Sequence, residues 1–272
     1  MITSDYHVHS NFSSDGKVSM EDMINQAIRL GLKTLCFTDH MDFDYPQIGD
    51  YSFDLDVKKY YTKLQMMKEK YKSQIELLTG IELGYQPHVI DSMNALVKEY
   101  NFDFVINSVH VLDNYDPYYP TYWEGKTEEE GILKCFETIK ESCENFTDFN
   151  VCGHIDYIVR YAPSTKVKYH EYSYPNYADL IDEILRTLIY NGKGIEVNSS
   201  GYKYGLGHPH PKTEILKRYK ELGGEIITIG SDAHLPDHIA YNFEAVAELL
   251  NNLGYRYYTN FKARKAIMER LV

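Results

Sequence analysis

Asp5-Tyr6-His7-Val8-His9-Ser10 stands almost at the start of the chain, and how it is read decides how the rest is read. Residues i and i+2 of a β-strand project to one face, so His7 and His9 present two imidazoles side by side, a ready chelate for a metal ion. With 11 His among 272 residues, chance placement alone supplies about 0.4 His-x-His pairs, so the pair is a weak motif by itself. Its weight comes from the rest of the chain. Thr38-Asp39-His40, Gly80-Ile81-Glu82, Ser108-Val109-His110, Gly153-His154-Ile155-Asp156 and Ser231-Asp232-Ala233-His234 each place a His or a carboxylate just after a short apolar run.

Those runs alternate with helical patterns. After the first strand, Ser19-Met20-Glu21-Asp22 is a variant of the capping box that opens an amphipathic helix ended by Gly31. Further strands are predicted over 33–38, 75–83, 102–108, 149–153, 194–198 and 225–230, with helices over 56–72, 88–100, 127–145, 177–191 and 212–222. Long loops follow His40 and His110, and the last forty residues read as two helices around a short strand, 255–259. Seven strands alternating with helices imply a parallel α/β sheet, and polar residues at the strand ends favour a closed or nearly closed TIM-like barrel. In such barrels chemistry gathers at the C-terminal ends of the strands, where remote chain segments converge. Six of the seven predicted strands end in a candidate ligand, which packing alone does not explain.

Composition bounds what this barrel could serve. A chain of 272 residues, 43% of them hydrophobic, suits one large domain spanning 1–272. A formal net charge of −12 argues against a partner such as nucleic acid or an anionic membrane surface, while a phosphate ester can still bind where cations are held locally. The oligomeric state is not legible. The 26 Tyr cluster near 115–122 and 169–177, and loop packing is the plainer account of them than stacking on a substrate. Cys36, Cys135, Cys143 and Cys152 lack Cys-x-x-Cys spacing and read as reduced and structural, in a cytoplasmic protein. No apolar run reaches membrane-spanning length, and the chain starts without a basic-then-apolar signal pattern.

Imidazole and carboxylate without thiolate suit zinc, manganese or iron. His7, His9, Asp15, His40, Glu82, His110, His154, Asp232 and His234 exceed what one ion accepts, so more than one is implied. Two or three ions sharing a carboxylate would stabilise both the attacking and the leaving oxygen of a phosphoryl displacement, with no protein nucleophile required. The chain has no Gly-x-Ser-x-Gly elbow, no Gly-x-x-x-x-Gly-Lys-Ser/Thr phosphate loop and no His-Glu-x-x-His helix.

In this order and combination, the series resembles the PHP (polymerase and histidinol phosphatase) family, over nearly the whole chain. The length, the two long loops and the run Gly153-His154-Ile155-Asp156-Tyr157-Ile158-Val159-Arg160-Tyr161 are similar to the family's stand-alone phosphatases. The resemblance implies a distorted seven-stranded (β/α)7 barrel with three divalent ions (Zn, Mn or Fe), hydrolysing L-histidinol phosphate in histidine biosynthesis. It assigns His7, His9, Glu82 and Asp232 to one ion, with Glu82 bridging to a second held by His110 and His154. Asp15, His40 and His234 would hold the third, although Asp15 stands where some members have His. Glu82, Asp232 and Arg160 would carry the chemistry, Arg160 as a phosphate clamp whose planar fork matches two phosphate oxygens. His210 and Asp42 are candidate substrate contacts, Asp44 a further one; Asp39 or His210 could protonate the leaving group. His88, His170 and His238 read as residues without a catalytic role. Another phosphate ester, such as a nucleotide or a phosphotyrosine, and a non-catalytic accessory module remain as alternatives.

Overall fold

Short apolar runs give the strands β1 (Ser4–Val8), β2 (Thr34–Phe37), β3 (His40–Met41), β4 (Glu76–Gly84), β5 (Phe104–Ser108), β6 (Val151–Cys152), β7 (Gly194–Asn198) and β8 (Ile227–Gly230). This is a computed structural model describing residues 1–47, 51–166 and 172–271. Tyr169 and His170 of the sequence reading lie outside the described residues. The strands pair in parallel in the order β1-β2-β4-β5-β6-β7-β8, with the two-residue β3 laid beside the end of β4 so that His40 is opposite Glu82. Between them run α1 (Met20–Arg29), α2 (Val57–Tyr71), α3 (Ile90–Glu99), α4 (Glu128–Asn145), α5 (Ala178–Tyr190), the single turn α6 (Ser200–Lys203) and α7 (Thr213–Glu221), and α8 (Phe243–Asn252) follows β8. Ser19, Asp56 and Thr127 cap α1, α2 and α4 by accepting a backbone N–H three residues on, which satisfies one of the orphan donors of each first turn.

The barrel closes without a full ladder between β1 and β8. At the C-terminal end, Asp232 N donates to His7 O (2.8 Å) and His9 N donates to Ala233 O (2.9 Å). Below them the buried Asp5 carboxylate accepts from Ser231 N (3.0 Å), Ser231 Oγ (2.5 Å) and Ala240 N (2.9 Å). Burial pushes that carboxyl up to about 6, against the pull of these bonds. The seam is thus stitched where the first candidate ligands stand.

The C-terminus departs from expectation. In place of a second helix, β9 (Tyr257–Lys262) and β10 (Lys265–Arg270) form an antiparallel hairpin. Its two turn residues, Ala263 (φ 47) and Arg264 (φ 65), are both left-handed, as a type I′ hairpin turn requires. Asp103 fixes the turn by accepting Ala263 N at Oδ1 (3.0 Å) and Arg264 N at its carbonyl (2.9 Å). This tertiary bond overrides the helical propensity of Lys-Ala-Ile-Met-Glu-Arg. The hairpin delivers Phe261 into the barrel floor against Tyr6, Cys36, Leu78, Phe104, Ile106 and Val151. With that end plugged, the mouth at the strand C-termini is the open one. No helix among the described residues is long and apolar enough to cross a membrane.

Candidate metal centre

Glu82 stands near the end of β4, fully buried, and divides its two oxygens between two groups of imidazoles. Oε2 lies 3.0 Å from His7 Nε2, 3.0 Å from His40 Nδ1 and 3.5 Å from His9 Nε2. Oε1 lies 2.9 Å from His154 Nε2 and 3.2 Å from His110 Nε2, and accepts Ser108 Oγ–H at 2.7 Å. Burial alone would raise this carboxyl, but His7, His40 and His110 outweigh it and hold it well below the usual carboxylate range.

Asp232, after β8, sits in the left-handed region at φ 55, a conformation that Asp tolerates better than most residues. Its Oδ1 lies 3.5 Å from His9 Nε2 and 4.0 Å from His7 Nε2, and its Oδ2 lies 3.6 Å from Arg160 Nη1. Asp15 Oδ2 is 3.0 Å from His234 Nε2 and 3.9 Å from His40 Nε2. The His9 ring is stacked between those of His40 and His234, with centroids 4.3 and 4.1 Å away. All nine side chains expected as ligands therefore meet at one mouth.

The donor set fits divalent ions. The donor atoms of His7, His9 and Glu82 lie within 4.8 Å of one another, as do those of Glu82, His110 and His154, and those of His9, His40 and His234. A further such group, His40, Asp42 and His110, was not foreseen. His9 Nε2, His234 Nε2 and Asp15 Oδ1 are buried without a hydrogen-bond partner. Orphaned polar atoms are costly in a protein interior unless something else satisfies them, and close N···O pairs that lack hydrogen-bond geometry are what ligands of a shared cation present.

In the metal-free chain His7, His40 and His110 are held toward their protonated forms, while burial and the neighbouring imidazoles drive His9 well below the ordinary value. Burial would lower His40, but Glu82 and Asp15 push it up to about 9. Burial likewise opposes His7 and His110, which Glu196 with Glu82, and Asp42 with Glu82, raise well above the ordinary value. A His raised above its unfolded value of about 6.5 contributes stability present in full below that pH and lost as pH rises through the folded value. The chelator-treated protein is therefore expected to melt at progressively lower temperature from about pH 6.5 to about pH 9, while ions bind more tightly over the same range because they need deprotonated rings. Thermal scans with and without chelator check this; a flat profile for the chelated protein contradicts it.

Arg160 lies in the 3-10 turn Tyr157–Tyr161, with its guanidinium over the rings of Tyr157 (5.4 Å), Tyr161 (4.8 Å) and Tyr204 (4.4 Å). It lines a cavity of about 610 Å³ above the cluster, shared with Asp15, His40, His110, His154, Asp232 and His234. Of the tyrosine clusters read as packing, Tyr122, Tyr172, Tyr174 and Tyr177 pack in or against the hydrophobic core, while Tyr118 and Tyr119 line the cavity beside Tyr45, Tyr51, Tyr157, Tyr161 and Tyr204. His238, expected to be without a role, is on its rim.

Other expectations fare differently. His210 is fully buried behind the wall and is not among the lining residues; its Nδ1 is 2.6 Å from Asp156 Oδ1. Asp39 is also away from the cavity, accepting from Ser10 N (2.8 Å), Ser13 N (2.9 Å) and Ser13 Oγ (2.8 Å) to hold the turn that leads to Asp15. Neither is placed to protonate a leaving group. Asp42 lines the cavity and binds His110 Nδ1 (2.8 Å), whereas Asp44 is exposed and pairs with His88 (3.3 Å).

Comparison with known proteins agrees with this geometry. The family model described as PHP domain matches residues 5–200. The chain belongs to the PHP family. A probable histidinol-phosphatase of Clostridium acetobutylicum is 33% identical, covering 93% of this chain and 94% of its own length. A histidinol-phosphatase of Lactococcus lactis is 30% identical, covering 96% and 95%. The crystal structure of histidinol phosphate phosphatase from Lactococcus lactis, complexed with Zn, L-histidinol and phosphate, superposes with a TM-score of 0.88 at 28% identity, over 97% of this chain and 98% of that one.

Sequence reasoning missed several residues of this PHP site, Lys17 and Asp116 on the cavity wall among them. Lys203 and Tyr204, in and just after α6, reach the cavity from a turn that carries no ligand. Glu196 lies inside β7, flanked by Ile195 and Val197, with Oε1 only 2.6 Å from His7 Nδ1. A lone acid within an apolar strand was the available signal.

Proposed function

We propose that this chain is a metal-dependent phosphomonoesterase that hydrolyses L-histidinol phosphate to L-histidinol and phosphate, as one catalytic domain holding three divalent ions of the zinc, manganese and iron class. The observation that carries the reading is the placement of Arg160 on the cavity wall, 3.6 Å from Asp232 and facing the His and carboxylate cluster. When bound, the ions neutralise phosphoryl oxygens and acidify water. Glu82 would be shared between ions, and His7, His9 and Asp232 would complete one of them. His110 and His154 would belong to the second, and Asp15, His40 and His234 to the third.

Arg160 would receive two oxygens of the phosphoryl group, with Lys17 and Lys203 adding cationic charge to the wall. Asp42 and Asp116 also line the cavity, the latter accepting Tyr45 Oη–H at 2.6 Å and Tyr118 N–H at 2.7 Å. These carboxylates suit the cationic amino end of the substrate. A cytoplasmic site of action is supported by four buried, unpaired cysteines.

Protein purified without chelator is expected to carry three ions per chain by elemental analysis. It should turn over histidinol phosphate selectively in a panel with nucleoside monophosphates and phosphotyrosine. Selective turnover of a nucleotide would overturn the substrate assignment, and a stoichiometry of two the third site.

A further inference from the structure

We propose that Glu196 is a positioning residue of the metal centre: it fixes the tautomer of His7 so that Nε2 faces the ions, and it tethers the backbone of His154 with its other oxygen. The proposal rests on the metal-centre reading and is independent of which phosphate ester is the substrate.

Glu196 is buried in the barrel interior and, among the described residues, lies outside the cavity lining and outside the groups of side chains able to share an ion. Its Oε1 is 2.6 Å from His7 Nδ1, and its Oε2 accepts His154 N–H at 2.9 Å and Asn198 Nδ2–H at 3.2 Å. A carboxylate only accepts, and a neutral imidazole donates from one nitrogen alone. The short contact therefore places the His7 proton on Nδ1. In the metal-free chain Nε2 also faces a carboxylate, Glu82 Oε2 at 3.0 Å, with Asp232 Oδ1 at 4.0 Å, so an ion held there would take the place of the Nε2 proton while Glu196 keeps the other on Nδ1. Orientation of a metal-binding imidazole by a carboxylate on its far nitrogen is a recurrent device, and losing it weakens the site.

Two features mark the contact as more than core hydrogen bonding. A Cβ on Gly230, in the neighbouring strand β8, would fall 2.4 Å from His7 Cβ and 2.5 Å from Glu196 Oε1. Only glycine leaves space there for the imidazole and the carboxylate to meet. The residues that Glu196 holds also belong to different donor groups, His7 with His9 and Glu82, His154 with His110 and Glu82. One buried side chain thus sets the geometry on both sides of the shared carboxylate.

Glu196→Gln tests this, because glutamine keeps the size but has one acceptor for donors that now face two oxygens. The metal-free variant is expected to stay folded but to melt below the metal-free wild type, because His7 loses one of the two carboxylates that face it. Its affinity for Zn²⁺, measured by chelator competition, should fall about 10- to 100-fold, and kcat should drop while KM changes little. A folded variant with wild-type Zn²⁺ affinity overturns the proposal. If the variant does not fold, the wild-type protein decides: in a two-dimensional ¹H–¹⁵N imidazole spectrum of the Zn-loaded chain, His7 should carry its proton on Nδ1 and its ion on Nε2. The reverse assignment overturns the proposal, whereas failure of the wild type to bind Zn²⁺ at all would overturn the metal centre itself.

Discussion

Glu82→Ala is expected to lose metal and nearly all activity together, with kcat/KM falling roughly 10⁴-fold or more, since bound cations supply most of the acceleration of an otherwise very slow hydrolysis. The expectation follows from how the carboxylate is shared. One oxygen is within 3.5 Å of His7, His9 and His40, the other within 3.2 Å of His110 and His154. Removing it leaves five imidazoles converging on a buried space without the negative charge that lies between them, so cations held on either side lose a ligand at once. Glu82→Gln separates charge from shape. It can still accept from Ser108 Oγ and should fold, yet it withdraws the charge and should also bind ions poorly. Elemental analysis of both variants beside their turnover is the check; full occupancy with normal turnover in Glu82→Ala would remove Glu82 from the centre.

What the sequence made legible has a physical pattern. Ligands at strand ends are visible because a parallel barrel forces those ends into one mouth, and because His7-x-His9 obeys the two-residue period of a strand. The caps at Ser19, Asp56 and Thr127 are local chemistry and are readable for the same reason. Contacts made across the barrel leave no such trace. Glu196 meets a His 189 positions away, and nothing in Gly-Ile-Glu-Val-Asn names its partner. The C-terminal hairpin depends on Asp103, far earlier in the chain, so local propensity gave a helix instead. His210 returns, well after β7, to bridge Asn198 at that strand's end, yet its side chain turns onto Asp156 behind the wall. Proximity to a strand end places a residue near the mouth without deciding which way its side chain points.

Arg160→Ala is expected to lower kcat as well as raise KM, by a combined ten- to a hundredfold or more in kcat/KM. Charge-assisted hydrogen bonds are worth roughly 1.5 to 3 kcal/mol each, and a loss confined to uniform binding would appear in KM alone. Three tyrosine rings, 4.4 to 5.4 Å from the guanidinium carbon, hold the fork in place before substrate arrives, so little ordering remains to be done when charge redistributes over the phosphoryl oxygens. Nη1 is 3.4 Å from Ser200 Oγ and 3.6 Å from Asp232 Oδ2, which sets one edge of the fork beside the ligand cluster. Alanine removes the charge and leaves the nine candidate ligands untouched, so metal content should stay near that of the wild type. Arg160→Lys should recover only part of the loss, because an ammonium restores charge without the planar pair of donors. Steady-state kinetics on histidinol phosphate, with ion content measured on the same preparations, distinguish the outcomes. Wild-type kcat/KM in Arg160→Ala would show that the phosphate is held by the ions and by another cation of the wall, with Lys17 and Lys203 next in line.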